Sequence, residues 1–277
     1  MKKALWIATV LLVAGILIGV VTLALVDFDF SKLDTDKYVS TTHEINDTFG
    51  DIQIFSDISN IHFALSEDDT CRVTTRVKEN MACTVTVKDN ALVIREKDCR
   101  KWYQHIGFNL TKGDITVYLP QSLYINLTVK TDTGDITVPE NFIFDDVHLV
   151  TDTGNIHYYG ILLDDLAAES DTGDIYLQNI HTPGDINLET DTGDIFLTNV
   201  RCGELEIDSD TGGVKLHLCD PDNADIETDT GDVNGSLLSS KIFLVNSSTG
   251  EIIVPETVSG GKCKIKTNTG DIHITIE

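Results

Sequence analysis

The sequence predicts an all-β chain: a parallel β-solenoid of about seven or eight coils with period 19–20, preceded by a divergent β cap and one N-terminal transmembrane helix. Three observations predict it. A short phrase returns every 19 or 20 residues, two apolar pairs with strand alternation lie inside each return, and the chain opens on a 23-residue apolar run.

That run covers residues 4–26 behind Met1-Lys2-Lys3, and only small or weakly polar residues such as Thr9, Gly15, Gly19 and Thr22 interrupt it. It is long enough to cross a hydrocarbon core of about 30 Å. No small-x-small cleavage site precedes Asp27, so a retained anchor is expected rather than a cleaved signal. Lys2 and Lys3 on one side, with Asp27 and Asp29 on the other, leave the N-terminus in the cytoplasm and the remainder outside the cell. The expected organisation is a cytoplasmic tip at 1–3, the anchor at 4–26, a stalk at 27–37, a β cap region at 38–112 and the repeats at 113–277.

In the cap region, Asp51-Ile52-Gln53-Ile54, Ile61-His62-Phe63 and Cys83-Thr84-Val85-Thr86-Val87 alternate as half-buried strands do. A stack of repeats has open ends, and this region is expected to cover one of them. Gly50-Asp51-Ile52 and Gly113-Asp114-Ile115 echo the repeated phrase. Residues 97–108 form the one basic and aromatic stretch, and Trp102 and Tyr103 are its candidate ligand contacts, since exposed aromatic rings stack on sugars.

The phrase itself is T-D-T-G-D-I. Its glycines are Gly134, Gly154, Gly173, Gly193, Gly212, Gly231, Gly250 and Gly270. Two residues later stand Ile136, Ile156, Ile175, Ile195, Val214, Val233, Ile252 and Ile272, all β-branched; four later stand Val138, Tyr158, Leu177, Leu197, Leu216, Gly235, Val254 and Ile274. A second inward pair is expected before each next turn, from Val147 with Leu149 to Ile242 with Leu244. One such unit cannot bury both apolar faces, so units must stack in order along the chain. At about 4.8 Å per strand the stack would be roughly 35 to 40 Å long.

Asp before Thr-Gly is expected to accept a backbone hydrogen bond in a tight turn, with Gly supplying a left-handed conformation. Aspartic proteases also use Asp-Thr-Gly, but they need two copies in distant loops rather than a periodic series. Stacking would align carboxylates in rows, and calcium prefers such oxygen-rich rows. Asp132, Asp152, Asp171, Asp191, Asp210 and Asp229 form one candidate row, and Asp135, Asp174, Asp194 and Asp232 another. The unbroken Thr column, Thr133 to Thr269, reads as a hydroxyl ladder.

The charge bounds partners. Forty-five acidic against 20 basic side chains give a net charge of −25, the wrong sign for a nucleic-acid partner. Cations and neutral or cationic glycans remain. Six cysteines match no zinc spacing and contain no C-x-x-C. Cys219 and Cys263 fall in inward columns, while Cys202 sits in a loop column within reach of Cys219. No P-loop, GxSxG, HExxH or dinucleotide fingerprint is present, and no cofactor other than calcium is suggested.

With the repeated phrase, Val117-Tyr118-Leu119-Pro120 and the N-terminal run in hand, the chain resembles the bacterial putative-adhesin family of β-strand-repeat proteins over roughly residues 40–277. The resemblance implies a right-handed parallel β-helix in a bacterial envelope, without catalytic residues to carry over. The expected function is a membrane-anchored surface or envelope interaction scaffold with a glycan or protein partner. The alternatives are a calcium-binding surface module, a carbohydrate-active β-helix enzyme, and a sensory ectodomain.

Overall fold

A computed structural model describes residues 2–25, 37–99 and 112–277, and in the first of these segments the side chains of residues 6, 9–21 and 24. The expected stalk, Trp102 and Tyr103 lie outside the described residues. Helix α1 (Lys2–Leu25) is 24 residues long. Its described side chains are exposed. Among the described residues no helix is long and apolar enough to cross a membrane.

Apart from short turns, the remaining regular structure among the described residues is strand. One sheet runs β1 (Tyr38–Ile45), β4 (Cys71–Lys78), β7 (Gly113–Leu119), β3 (Ser59–Leu65), β9 (Ile136–Val138), β11 (Ile156–Tyr158), β14 (Ile175–Gln178), β16 (Ile195–Thr198), β18 (Val214–Cys219), β20 (Val233–Leu237), β24 (Ile272–Ile276) and β22 (Ile252–Ile253). The other runs β21 (Lys241–Thr249), β23 (Gly261–Thr269), β19 (Asn223–Thr230), β17 (Glu204–Thr211), β15 (Ile186–Thr192), β13 (Leu166–Thr172), β10 (Ile143–Thr153), β8 (Leu123–Thr133), β2 (Asp51–Ser56), β6 (Ala91–Asp98) and β5 (Met81–Lys88). A short β12 (Ile161–Leu162) adds to β10. Each repeat gives one strand to each sheet, a rung, and the rungs pair in parallel with like residues opposite like: Ile156 faces Ile136 and Ile175.

The β-branched column explains the register. Ile136, Ile156, Ile175, Ile195, Val214, Val233 and Ile272 are all fully buried between the sheets. Sliding one rung by one residue would expose its whole inward set, and each such side chain contributes about 1.5 to 3 kcal/mol on burial.

Glycine is needed for close approach. A Cβ built on Gly154 would overlap the carbonyl oxygen of Gly134, one on Gly173 that of Gly154, and so on to Gly270 over Gly231 and Gly250 over Gly270. The glycines therefore form a column with no room for a side chain. Gly154, Gly173, Gly212 and Gly270 also hold a positive φ of 152° to 158°, so backbone conformation and close approach both select glycine there. Three residues earlier stands an inward hydroxyl: Thr151 Oγ1 and Ser170 Oγ donate to the carbonyls of Gly134 and Gly154 at 3.0 Å, whereas the buried Ser209 Oγ makes no such bond.

Rungs do not stack in strict chain order. The last one, β23 with β24, inserts between the β19–β20 rung and the β21–β22 rung. At the other end β2 with β3 inserts between the β8–β9 rung and β6–β7, and antiparallel β4, β1 and β5 close the stack. The true counterpart of the repeated phrase in the cap region is Ser59-Asn60-Ile61, where Gly134 packs over Ser59 and Ile136 pairs with Ile61. Gly50-Asp51-Ile52 leads into the other sheet and is no counterpart.

Several inward assignments shift. In β21 it is Phe243 and Val245 that pack on the core, while Ile242 and Leu244 are 40% and 54% exposed. Four consecutive apolar residues leave alternation no basis for choosing. Elsewhere Leu162 and Leu237 are buried while Ile161 is 49% exposed. Cys219 and Cys263 are buried as expected; Cys202, expected in a loop column, is also buried, and all six cysteines are free.

Candidate functional site

Stacking turns every outward position into a row about 4.8 Å apart, so the search for a site is a search among rows. The Asp that follows each glycine has a structural task. Asp135 Oδ1 accepts the backbone N–H of Asn155 at 3.0 Å, Asn155 Oδ1 that of Asp174 at 2.8 Å, Asp174 Oδ1 that of Asp194 at 2.9 Å, and Asp194 Oδ1 that of Gly213 at 2.8 Å. Asp232 and Asp271 continue the pattern beyond Gly213. Each carboxylate satisfies an N–H that the bend between the sheets leaves without a strand partner. This corrects the sequence expectation: the turn acceptor follows the glycine and does not precede it.

A second ladder, absent from the sequence reading, marks the start of the long strands. Asp165 Oδ1 accepts the N–H of Asp185 at 2.8 Å, and Asp185 Oδ1 that of Glu204 at 2.7 Å. These carboxylates edge a groove of about 610 Å³, whose floor includes the short side chains Thr128, Ala167 and Asn187.

The Asp preceding Thr-Gly lies in strand and points outward. Asp132, Asp152, Asp171, Asp191, Asp210 and Asp229 are exposed on the long-strand sheet. Two positions before them runs a row of Glu169, Glu189, Asp208 and Glu227, and two before that stand Glu206 and Asp225. The result is an acidic face. Burial first, and then repulsion from Glu169 and Asp208, pushes the Glu189 carboxyl up; burial and then Glu227 does the same for Asp208. Burial and then Asp57 and Asp152 raise Asp132.

The face ends at β23, where the same rows carry Lys264 and Lys266. Lys264 Nζ lies 2.9 Å from Asp225, and Lys266 pairs with Glu227. Asp225 and Glu227, one from each row, are tied in this way to β23, and at the far end His148 lies 3.4 Å from Glu169, so that Glu189 and Asp208 between them have only acidic neighbours in strand register.

Calcium would need several oxygens converging on one point. Among the described residues no group of three or more His, Cys, Asp or Glu does so. Two of the candidate ligands already face cations, Asp194 with Lys215 at 2.9 Å and Asp135 with Lys112 at 3.7 Å. Lys215 first, and then the Gly213 N–H, hold Asp194 below the usual carboxylate range. The Thr column before the glycines pairs rung to rung, Thr153 opposite Thr172 and Thr172 opposite Thr192, and is exposed beyond Thr133.

On the opposite sheet His157, Tyr176 and Phe196 make an outward aromatic row. Their rings stack on one another at 4.6 and 4.7 Å, and Lys215 covers the last. The ring faces are thereby occupied by neighbours, and the row offers edges rather than a platform for a sugar.

Comparison with known proteins gives the family and little more. A family model, Toastrack DUF4097, matches residues 49–183 and 163–277. Among solved structures, a putative adhesin of Bacteroides fragilis shares 17% identity with a TM-score of 0.45, covering 88% of this chain and 99% of its own. A second from Parabacteroides distasonis shares 12% over 86% and 98% of the two chains with a TM-score of 0.41. A putative lipid binding protein of the same species shares 13% over 85% and 97%, also at 0.41. No curated protein matches. Since the two family matches together run from residue 49 to residue 277, the chain belongs to the Toastrack DUF4097 family.

Proposed function

We propose that this protein is a non-enzymatic surface scaffold, a β-solenoid whose long-strand sheet presents its acidic face to cationic groups on an envelope glycan or protein. The observation that carries the reading is the set of aligned outward rows through Glu169, Glu189, Asp208 and Glu227, flanked by Asp152 to Asp229. Rows at fixed spacing on a rigid sheet cost little ordering on binding. A β-helix enzyme of the kind that sets Lys or Arg among its carboxylates is not favoured, because the groove beside the face is lined by neither.

In this reading α1 anchors the scaffold. Its 24 residues would extend about 36 Å at 1.5 Å each, and the Lys2-Lys3 pair favours a cytoplasmic N-terminus. The domain then lies outside the cell. Carbonate extraction of membranes tests the anchor: the protein stays in the pellet if α1 spans the bilayer and is released if it does not.

Calorimetric titration of the full chain in detergent with pentalysine, at low salt and at about 0.15 M salt, tests the binding. Heat that shrinks as salt rises supports the reading; no heat at low salt removes it. Calcium added in the same buffer distinguishes the metal-binding alternative, which requires saturable heat and a raised melting temperature.

A further inference from the structure

We propose that a second copy of this chain docks on the open end of the stack, β21 pairing antiparallel with β21 of that copy. The two ends of the stack are unlike. At one, β1, β4 and β5 fold over as antiparallel strands. At the other, β21 and β22 are the last strands of both sheets and pair on one side only.

β21 is a nine-residue edge without proline, and its one charge, Lys241, is buried and paired with Asp220 at 3.2 Å. Natural edges are ordinarily blunted by charge, proline, bulges or brevity. This one has no such protection. Its inward Phe243 and Val245 are only partly buried, and Ile242, Leu244, Ile252 and Ile253 are 40 to 54% exposed around it.

The occupant follows from geometry and charge. A partner must cover two sheet edges and an apolar core end of one cross-section together, which a second stack end does by symmetry. A net charge of −25 opposes approach of two copies almost anywhere, whereas β21 and β22 contain no Asp or Glu. The Thr249 carbonyl accepts the N–H of Gly270, just after β23, so Ile242, Leu244, Asn246 and Ser248 turn their backbone groups to the open side. Pairing Leu244 with Asn246 of the second copy, and Ile242 with Ser248, uses these groups and keeps inward residues on one side. Both sheets then continue through the joint.

Sedimentation equilibrium of the full chain in detergent gives the mass, with Leu244→Glu/Asn246→Glu as the test variant. Adding like charges across the pair should weaken association at least about tenfold, while Leu163→Glu, an exposed position away from the end, leaves it unchanged. A monomeric wild type overturns the proposal, as does a dimer that the double variant leaves intact, which would place association on α1 or elsewhere. If the double variant fails to fold, hydrogen exchange in the wild type decides. The amides of Leu244, Asn246 and Ser248 should become at least about tenfold slower to exchange as concentration rises, and no change with concentration contradicts the joint.

Discussion

Asp171 and Asp174 belong to one copy of the repeated phrase, three residues apart, and the structure gives them opposite roles. Asp174 Oδ1 accepts the Asp194 N–H at 2.9 Å, and its Oδ2 accepts the Tyr176 hydroxyl at 2.8 Å. Asp171 is exposed in a row of like charges. Asp174→Ala removes both bonds and leaves the half-buried Asp194 N–H without its acceptor. Hydrogen bonds to a charged group contribute about 1.5 to 3 kcal/mol, and relief of repulsion offsets part of that. A net loss of about 2 kcal/mol is expected, equivalent to a fall in Tm of roughly 4 to 8 °C for a domain of this size. Asp174→Asn keeps an acceptor, as Asn155 does naturally in the same column, and should be nearly silent. Asp171→Ala should leave Tm unchanged or slightly higher. Thermal unfolding followed by circular dichroism measures all three. Equal losses for Asp171→Ala and Asp174→Ala would refute the division of labour between the two rows.

The ladder has one gap, at Gly213, where a new Cβ would meet nothing closer than 3.3 Å. Gly213→Asn should fill it and raise stability by about 1 kcal/mol through a new acceptor and a less flexible unfolded chain, read by urea unfolding. Gly173→Ala, by contrast, would overlap the Gly154 carbonyl and should cost at least about 3 kcal/mol or prevent folding. Stability should rise as pH falls from 7 toward about 5, because Glu189 and Asp208 have raised carboxyl pKa values and the folded chain binds protons there before the unfolded chain does. Below the ordinary carboxylate range it should fall, as Asp194, Asp220 and Glu227, whose pKa values are depressed, lose their partners on protonation. A Tm series from pH 7 to pH 3 checks both limbs. Of the six thiols, exposed Cys99 should react first with a disulfide reagent, while burial pushes Cys202 and Cys263 up to about 12 and Cys71 to about 11 and protects them.

The parallel rungs were legible because a β-branched residue recurs two positions after every glycine, and only in-register stacking buries all of them. The exchange of the last two rungs was not legible. The rungs from Gly250 and Gly270 carry the same phrase, so by the repeat alone either could follow the Gly231 rung. Ser59-Asn60-Ile61 escaped notice because serine replaces the glycine. Its role appears only from the Asn60 side chain, which accepts the Asp135 N–H at 3.0 Å. The candidate site was half visible. The Asp row before Thr-Gly was read correctly as aligned, but its task was exchanged with that of the Asp after the glycine, since both sit beside the same bend in the sequence. The Glu169 row went unread because its members sit among apolar inward residues, and only the strand parity of β13 to β19 turns them to one face.

The central claim is that the acidic face of the long-strand sheet, rather than net charge alone, holds cationic partners. The direct measurement is pentalysine affinity at low salt for the wild type, for Glu169→Gln/Glu189→Gln/Asp208→Asn/Glu227→Gln, and for a control with equal charge loss elsewhere, Glu67→Gln/Glu79→Gln/Glu140→Gln/Glu256→Gln. The account predicts a loss of at least about tenfold for the face variant and a much smaller one for the control. Equal losses in the two variants would contradict it and leave only the diffuse field of an acidic chain.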